Sequence, residues 1–368
     1  MKIGLDARKA ADYGIGTYIR NLSTRLVALY PDCRFVLFHR PGEKKLLPDG
    51  PNVSHAAEGA GTYSLRELYA LSLQARREKL DLFHSPHYTL PVRLPCPAVV
   101  TIHDLIHLLF REYLPHPLAR FYARFMIGRA ARESAAVITV SHSSRKDIDR
   151  FFPGTAAHVI PNGVEPAFSP RPLPEVREWL ASSLDLKGSY LLFVGNPKKH
   201  KNLDLLLLAF ARLRTSYPGL TLVAVGGVDD QQEELRGRAR ALGIEERSRF
   251  FGSVDHDTLA LLYSAATLFV FPSRYEGFGL PALEAMACGA PVAASSSSSI
   301  PEVLGPAAAY FSPDSLDSLM TALCSLLDDP AERTRLIGVG RRRAARFTWD
   351  ETARRTMAVY RRALEKAG

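Results

Sequence analysis

Glu276 and Glu284 bracket seven residues in the run Glu-Gly-Phe-Gly-Leu-Pro-Ala-Leu-Glu. The run follows the apolar stretch Leu268-Phe269-Val270-Phe271-Pro272 and continues to Cys288-Gly289. Proline suits the first helical position and glycine suits a helix stop, so the spacing predicts strand, glycine turn and helix. Glu276 then falls at the C-terminal end of the strand, and Glu284 in the first helical turn or just past it. The backbone N–H groups of Gly277, Phe278, Gly279 and Leu280 would point into the space between the two carboxylates. Such amides bind anions, and carboxylates accept hydrogen bonds from sugar hydroxyls. A nucleotide sugar presents both kinds of group. Either glutamate alone has a plainer use, Glu284 with the helix dipole and Glu276 as an exposed loop charge. The whole string is the more specific signal.

Other segments carry compatible chemistry. Gly195-Asn196-Pro197-Lys198-Lys199-His200-Lys201-Asn202 follows an apolar strand and opens a leucine-rich helix. Cations at a helix N-terminus oppose the macrodipole, and a bound pyrophosphate would account for them. Lys198 and Lys201 would neutralise charge on a departing diphosphate. Near the N-terminus, Gly14 and Gly16 in Asp12-Tyr13-Gly14-Ile15-Gly16-Thr17-Tyr18 allow close approach of backbone to a ligand. The third glycine of a dinucleotide fingerprint is absent there, which weighs against a dehydrogenase. Thr101-Ile102-His103-Asp104-Leu105 ends a further strand. His103 could orient a hydroxyl there with Asp104 steadying the histidine or its loop; the plainer alternative is a buried histidine bonded to backbone. His84, His87 and His107 match no zinc spacing, so no metal is expected. Arg249-Phe250-Phe251-Gly252-Ser253-Val254 precedes another helix.

These segments sit in an alternating pattern. Strands are expected at Lys2–Asp6, Arg34–Phe38, Leu80–His84, Ala98–Ile102 and Ala136–Val140, then at Tyr190–Val194, Thr221–Val225, Arg249–Phe251, Thr267–Phe271 and Pro291–Ala294. Helices are expected at Gly16–Tyr30, Leu65–Lys79, Pro117–Ser134 and Ser143–Phe152. In the second half they are expected at Leu203–Tyr217, Gln231–Leu242, Thr258–Ala265, Pro281–Cys288, Ser315–Leu327 and Ala331–Ala345. Alternation of this kind argues for parallel sheets covered by helices. Five prolines in the fourteen residues from Pro161 to Pro174 mark a connector between two halves. A basic helical segment, Thr348–Ala367, closes the chain, and Ser295–Ser299 reads as a short low-complexity loop.

The 368 residues suffice for two cores, and 46% apolar with 23% charged content is ordinary for a soluble globular protein. No window is long and apolar enough to span a bilayer, and the first strand turns polar too soon for a secretory signal. Cys33, Cys96, Cys288 and Cys324 show no paired spacing, so a cytoplasmic location is expected. The net charge of +9 is uneven, with 22 Lys+Arg against 15 Asp+Glu in residues 1–168 and 25 against 23 thereafter. A basic first half suits anionic headgroups or a phosphate-bearing acceptor. No aromatic-plus-basic array supports nucleic acid.

The string Glu-Gly-Phe-Gly-Leu-Pro-x-x-Glu resembles the carboxylate-x7-carboxylate motif of retaining glycosyltransferases of family 4. Matching segments spread from Gly14 to Glu302. The resemblance implies the α/β GT-B fold, two Rossmann-like doubly wound domains facing a central cleft, with the last helix crossing back to the first domain and Trp349 as its anchor. The expected division is 1–168 for the acceptor, 169–346 for the donor and 347–368 for the returning helix. It implies transfer of a sugar from a nucleoside diphosphate to a hydroxyl, with the anomeric configuration kept and no cofactor or metal. Glu276 would accept from sugar hydroxyls and Glu284 from the ribose. Lys201, Lys198 and the amides of Gly277 to Leu280 would hold the diphosphate, with Gly14, Gly16 and Gly195 near it. Asn196 stands where the family usually has an arginine, which makes Lys198 the substitute cation. His103 and Asp104 resemble the family's active-site pair, and the segment ending at Val254 the one whose backbone contacts the nucleobase. The motifs look most like bacterial mannosyltransferases of polysaccharide and O-antigen assembly. GDP-mannose is therefore the expected donor, and the acceptor a glycan or a lipid-linked intermediate met at the inner membrane face by peripheral contact. A nucleotide-sugar 2-epimerase of the same architecture and a non-catalytic nucleotide-sugar-binding partner are the alternatives.

Overall fold

The computed structural model describes residues 1–59, 65–110 and 117–366. They divide into two units, Met1–Gly163 with Phe347–Gly368, and Val164–Arg346. The chain passes from one to the other inside the proline-rich connector. The first unit runs β1 (Lys2–Asp6), α1 (Ile15–Leu29), β2 (Arg34–His39), β3 (Val53–Ala57), α2 (Leu65–Arg77), β4 (Leu82–Ser85), β5 (Ala98–Ile102), α3 (Ile106–Leu109), α4 (Pro117–Glu133), β6 (Ala136–Thr139), α5 (His142–Phe151) and β7 (Ala157–Val159). The second runs α6 (Leu173–Leu184), β8 (Tyr190–Val194), α7 (Leu203–Leu213), β9 (Thr221–Val225), α8 (Asp229–Ala241), β10 (Ser248–Phe251), α9 (His256–Ala265), β11 (Leu268–Phe271), α10 (Leu280–Cys288), β12 (Val292–Ser295), α11 (Ile300–Leu304), β13 (Ala308–Phe311), α12 (Leu316–Asp328) and α13 (Pro330–Ala344). Helix α14 (Trp349–Glu365) returns to the first unit. Ala367, the expected end of that helix, lies outside the described residues.

Each unit holds one parallel, Rossmann-like sheet. The first has strand order β3-β2-β1-β4-β5-β6-β7 and the second β10-β9-β8-β11-β12-β13. The central strands are continuous apolar runs, such as Leu268-Phe269-Val270-Phe271 with every residue buried, as sheets covered on both faces require. In both sheets the order reverses once, between β1 and β4 and between β8 and β11. Loops leaving the carboxyl ends of strands at such a reversal diverge and open a crevice, where doubly wound folds bind ligands.

Three strands escaped the sequence pattern: β3, β7 and β13. All lie at sheet edges, where short, half-exposed strands show little apolar signal. Helix α6 starts inside the expected connector, since Pro174 occupies its first turn, where a missing N–H costs nothing. Helix α7 ends at Leu213 rather than Tyr217.

Helix α14 completes the first unit by packing on α1. Trp349 is buried edge-on to Tyr18, and a Cβ on Gly163 would come within 2.2 Å of the Trp349 amide nitrogen. Deeper in, Nδ1 of His84 lies 2.6 Å from the Tyr360 hydroxyl and Nε2 lies 2.8 Å from Thr101 Oγ1. Burial drives the His84 pKa down to about 3, so the ring is neutral and bridges helix to sheet. Tyr360→Phe should cost about 1–3 kcal/mol, the penalty for leaving a buried polar atom unmatched. Chemical denaturation measures it, and an unchanged midpoint would show that this bond does not hold α14.

Candidate active site

The reversal in the second sheet brings two loops together. After β8, Gly195 takes φ +154°, Lys199–Lys201 form a 3₁₀ turn, and Asn202 adopts a left-handed φ of +56° before α7. The Asn202 amide donates to the carbonyls of Pro272 (3.1 Å) and Pro313 (2.8 Å), tying this loop to the one after β11. Lys201 Nζ donates to both carboxylate oxygens of Glu276, at 2.7 and 2.9 Å, and lies 5.9 Å from the centroid of the Phe271 ring. Only 18% of the Lys201 side chain and 11% of that of Glu276 are exposed. Helix α7 starts at Leu203 as expected, the lysines occupy a separate turn ahead of it, and the charge of Lys201 is balanced by Glu276.

Beyond Glu276 the chain reaches α10. Gly279 caps that helix at φ +101°, with Pro281 in its first turn and Gly289 stopping it at φ +89°. A helix start leaves its leading N–H groups without intrahelical acceptors and at the positive end of the dipole. Leu280 is the first residue of the helix, with Gly277 and Phe278 in the loop ahead of it.

The loop after β11 is held by the serine run that the sequence pattern marked only as a low-complexity loop. Ser298 Oγ accepts from the Glu276 amide at 2.8 Å, while Ser299 Oγ donates to the carbonyls of Glu276 (2.9 Å) and Phe278 (3.2 Å). Ser295 and Ser297 donate to the carbonyls of Ser273 and Arg274. The run Ser295–Ser299 is therefore a strap of short hydroxyls that satisfies an irregular loop's backbone. Gly226 (φ +122°) was also unmarked, and a Cβ there would strike the Gly195 carbonyl oxygen at 2.5 Å. The glycine pair Gly226-Gly227 directly after a strand was the available signal.

Glu284 lies in the second turn of α10, where its Oε2 accepts from the Tyr263 hydroxyl at 3.2 Å. Burial first, and then the Glu165 carboxylate, push its pKa up to about 7, partly opposed by Tyr263 and His256. His256 Nδ1 lies 3.0 Å from Glu165 Oε2. Glu165 came from the connector, where nothing in sequence marked it. Lys198 is exposed, Asn196 keeps its side-chain oxygen buried without a hydrogen-bond partner, and Val254 is half-buried between β10 and α9.

In the first unit Gly14 is exposed at the start of α1 with φ +56°, and a Cβ there would meet nothing within 4 Å. Gly16 differs: it is buried, and a Cβ would lie 2.5 Å from the Ala10 carbonyl oxygen. Packing alone demands that glycine. His103 Nε2 sits 3.0 Å from the Pro86 carbonyl, its ring is edge-on to Tyr18 at 4.8 Å, and burial lowers its pKa against the opposing pull of Asp104. Its own carbonyl accepts from Ser144 Oγ at 2.9 Å. Asp104 Oδ1 accepts from the Ile106 amide at 3.0 Å, so it fixes the turn into α3. Among the described residues no three His, Cys, Asp or Glu side chains gather as a metal site.

Comparison with known proteins places this geometry in a family. The model for glycosyltransferase family 4 matches residues 13–168, and that for group 1 glycosyl transferases matches residues 178–343. The O-antigen chain mannosyltransferase B of Escherichia coli is 31% identical over 370 residues, covering 95% of this chain and 96% of that protein. The MMP alpha-(1->4)-mannosyltransferase of Mycolicibacterium hassiacum is 33% identical over 326 residues, covering 83% and 75%. Sucrose-phosphate synthase from Thermosynechococcus elongatus shares the fold with a TM-score of 0.84 at 24% identity over 100% of both chains. HepE from Anabaena, solved with UDP-glucose, does so with a TM-score of 0.80 at 19% identity over 98% and 99%. With its two parallel sheets and its glutamate string at a sheet reversal, the chain belongs to glycosyltransferase family 4 and is a glycosyltransferase.

Proposed function

We propose that this enzyme moves mannose from GDP-mannose to a hydroxyl of a glycan or lipid-linked acceptor in cell-surface polysaccharide assembly, keeping the anomeric configuration. The observation that carries the reading is the Lys201–Glu276 pair at the reversal of the second sheet, next to the start of α10. It puts a cation for a diphosphate and a carboxylate for sugar hydroxyls within one hydrogen bond of each other. The mannosyltransferase names of the relatives above support the choice of sugar.

On this reading a bound donor divides the pair. Lys201 turns toward the diphosphate together with Lys198 and the amides from Gly277 to Leu280, and Glu276 accepts from the sugar. Glu284 accepts from the ribose, and the backbone near Val254 meets the base. Neither glutamate is assigned as a nucleophile, because a double displacement needs a carboxylate beneath the anomeric carbon. Same-face substitution, with the leaving phosphate taking the acceptor proton, asks only for positioning and charge neutralisation. Lysines and helix amides supply that neutralisation without a metal. His103 steadies the cation-like sugar through its carbonyl, which keeps a second lone pair beside the Ser144 bond. We place the enzyme in the cytoplasm, in peripheral contact with the inner membrane. No helix among the described residues is long and apolar enough to cross one. Helix α4 exposes 71% of Phe121 and 62% of Phe125, with Arg124 exposed between them, a pairing suited to an anionic bilayer surface.

Removing one member of the half-buried pair strands the other charge, at a cost of about 3–5 kcal/mol. The double variant Lys201→Met/Glu276→Gln should therefore be more stable than either single variant, yet transfer at least about a hundredfold more slowly than the parent. Full turnover by the folded double variant would sink the assignment. A screen of GDP-, UDP-, ADP- and dTDP-sugars for acceptor-independent hydrolysis should favour GDP-mannose. Conversion of a donor sugar to its 2-epimer with no acceptor present would instead favour the epimerase.

Glu284 supplies a second test. Its carboxyl titrates near 7 in the fold against an ordinary 4.5, so the folded state binds more protons between those values. Stability contributed by this group accordingly falls as pH rises through that window. Glu284→Gln removes the dependence, and its melting temperature relative to the parent should rise between about pH 4.5 and about pH 8. An offset that stays constant across that range would contradict the shifted carboxyl.

A further inference from the structure

The outer edge of the first unit's sheet borders an open groove of about 440 Å³ between β7, α5 and α14. Its charged lining is of one sign: Arg145 from α5, Arg355 and Arg362 from α14, joined by His142 and His158. Among the described residues no carboxylate lines it. The acid paired with Arg145 is Asp149, at 3.8 Å and half exposed, an arrangement that offsets little. Arg355 donates to the Val159 carbonyl at 2.7 Å, which plants its guanidinium along the edge strand. Burial first, and then Arg362, Lys366 and Arg145, hold the His158 imidazole below its ordinary pKa, so the positive field reaches the groove wall.

Folding alone does not call for this arrangement, because like charges around one groove repel one another. An anion would remove that cost. Guanidinium forks match phosphate oxygens two at a time, and the volume falls within the roughly 300–1,000 Å³ of ordinary ligand pockets. We propose that the groove binds a phosphate monoester or diphosphate, at a site that shares no residue with the Lys201–Glu276 pair. Its ligand is either a soluble phosphate compound or the headgroup of an anionic phospholipid.

The test uses the full chain with labelled histidines, the His158 signal being assigned by His158→Gln. Pyrophosphate should shift the His158 imidazole resonance saturably. Arg145→Gln/Arg362→Gln should weaken that response at least roughly ten-fold, with the fold checked by circular dichroism. Lys201→Met should leave it unchanged, which separates this site from the proposed donor site. Sedimentation with phosphatidylglycerol vesicles, against phosphatidylcholine controls, identifies the source. Retention of the parent but not of the double arginine variant assigns a lipid headgroup. A pyrophosphate response without such retention assigns a soluble phosphate. No saturable response of His158 to either probe, or one undiminished in the arginine variant, overturns the proposal.

Discussion

The pairing of β8 with β11 is the constraint on which the site depends. Leu191 lies beside Leu268 and Leu192 beside Phe269, although three helices and two strands intervene in the chain. Because the crossovers leave these neighbours in opposite directions, the loops at their carboxyl ends part. Lys201 and Glu276 then face each other where neither would otherwise have a partner. Their bond makes burial of both charges tolerable, since each satisfies the other's desolvation. The Asn202 amide and the serine strap serve the same end at the level of backbone, holding two irregular loops at one geometry.

The sequence made the central strands readable, four of them to the residue and β4 and β11 with ends shifted by one or two residues. The bounds of β1, β5, β8 and β9 fall where expected, because strands covered on both faces leave little choice of residue. Edge strands lack that compulsion, so β3, β7 and β13 passed unnoticed. At the site, the turn into α10 was legible because glycine and proline act locally: Gly279 and Gly289 both take left-handed angles that other residues resist. Which charges meet was not legible. That Lys201 bonds Glu276, that Glu165 presses on Glu284 and that four serine side chains strap a loop all follow from strand adjacency, which no local spacing encodes.

Each unit matches the polar groups that it buries. In the first, histidines are kept neutral by burial and used as connectors: His84 joins helix to sheet, and His87 Nδ1 lies 3.0 Å from Thr89 Oγ1. In the second, charge is balanced in the Lys201–Glu276 pair, as in the Asp6–Arg8 pair of the first, whereas burial and Glu165 disfavour the charged form of Glu284. Shifted carboxyls of this kind cluster where ligands bind, because a group optimised for a partner is poorly placed without it. Gly14 and Gly16 make a similar contrast within one turn of sequence. One faces open space, and the other is required by the backbone it touches.

The return of α14 also orders the events of biosynthesis. The second unit is one unbroken stretch, whereas the first needs residues from both sides of it. As the polypeptide leaves the ribosome, the first sheet must wait with Tyr18 and His84 uncovered until Trp349 and Tyr360 have been made. Domains generally fold as units while synthesis proceeds. Here the segment translated first is the last to be finished, and loss of the final helix would leave an open core in the half of the protein made earliest.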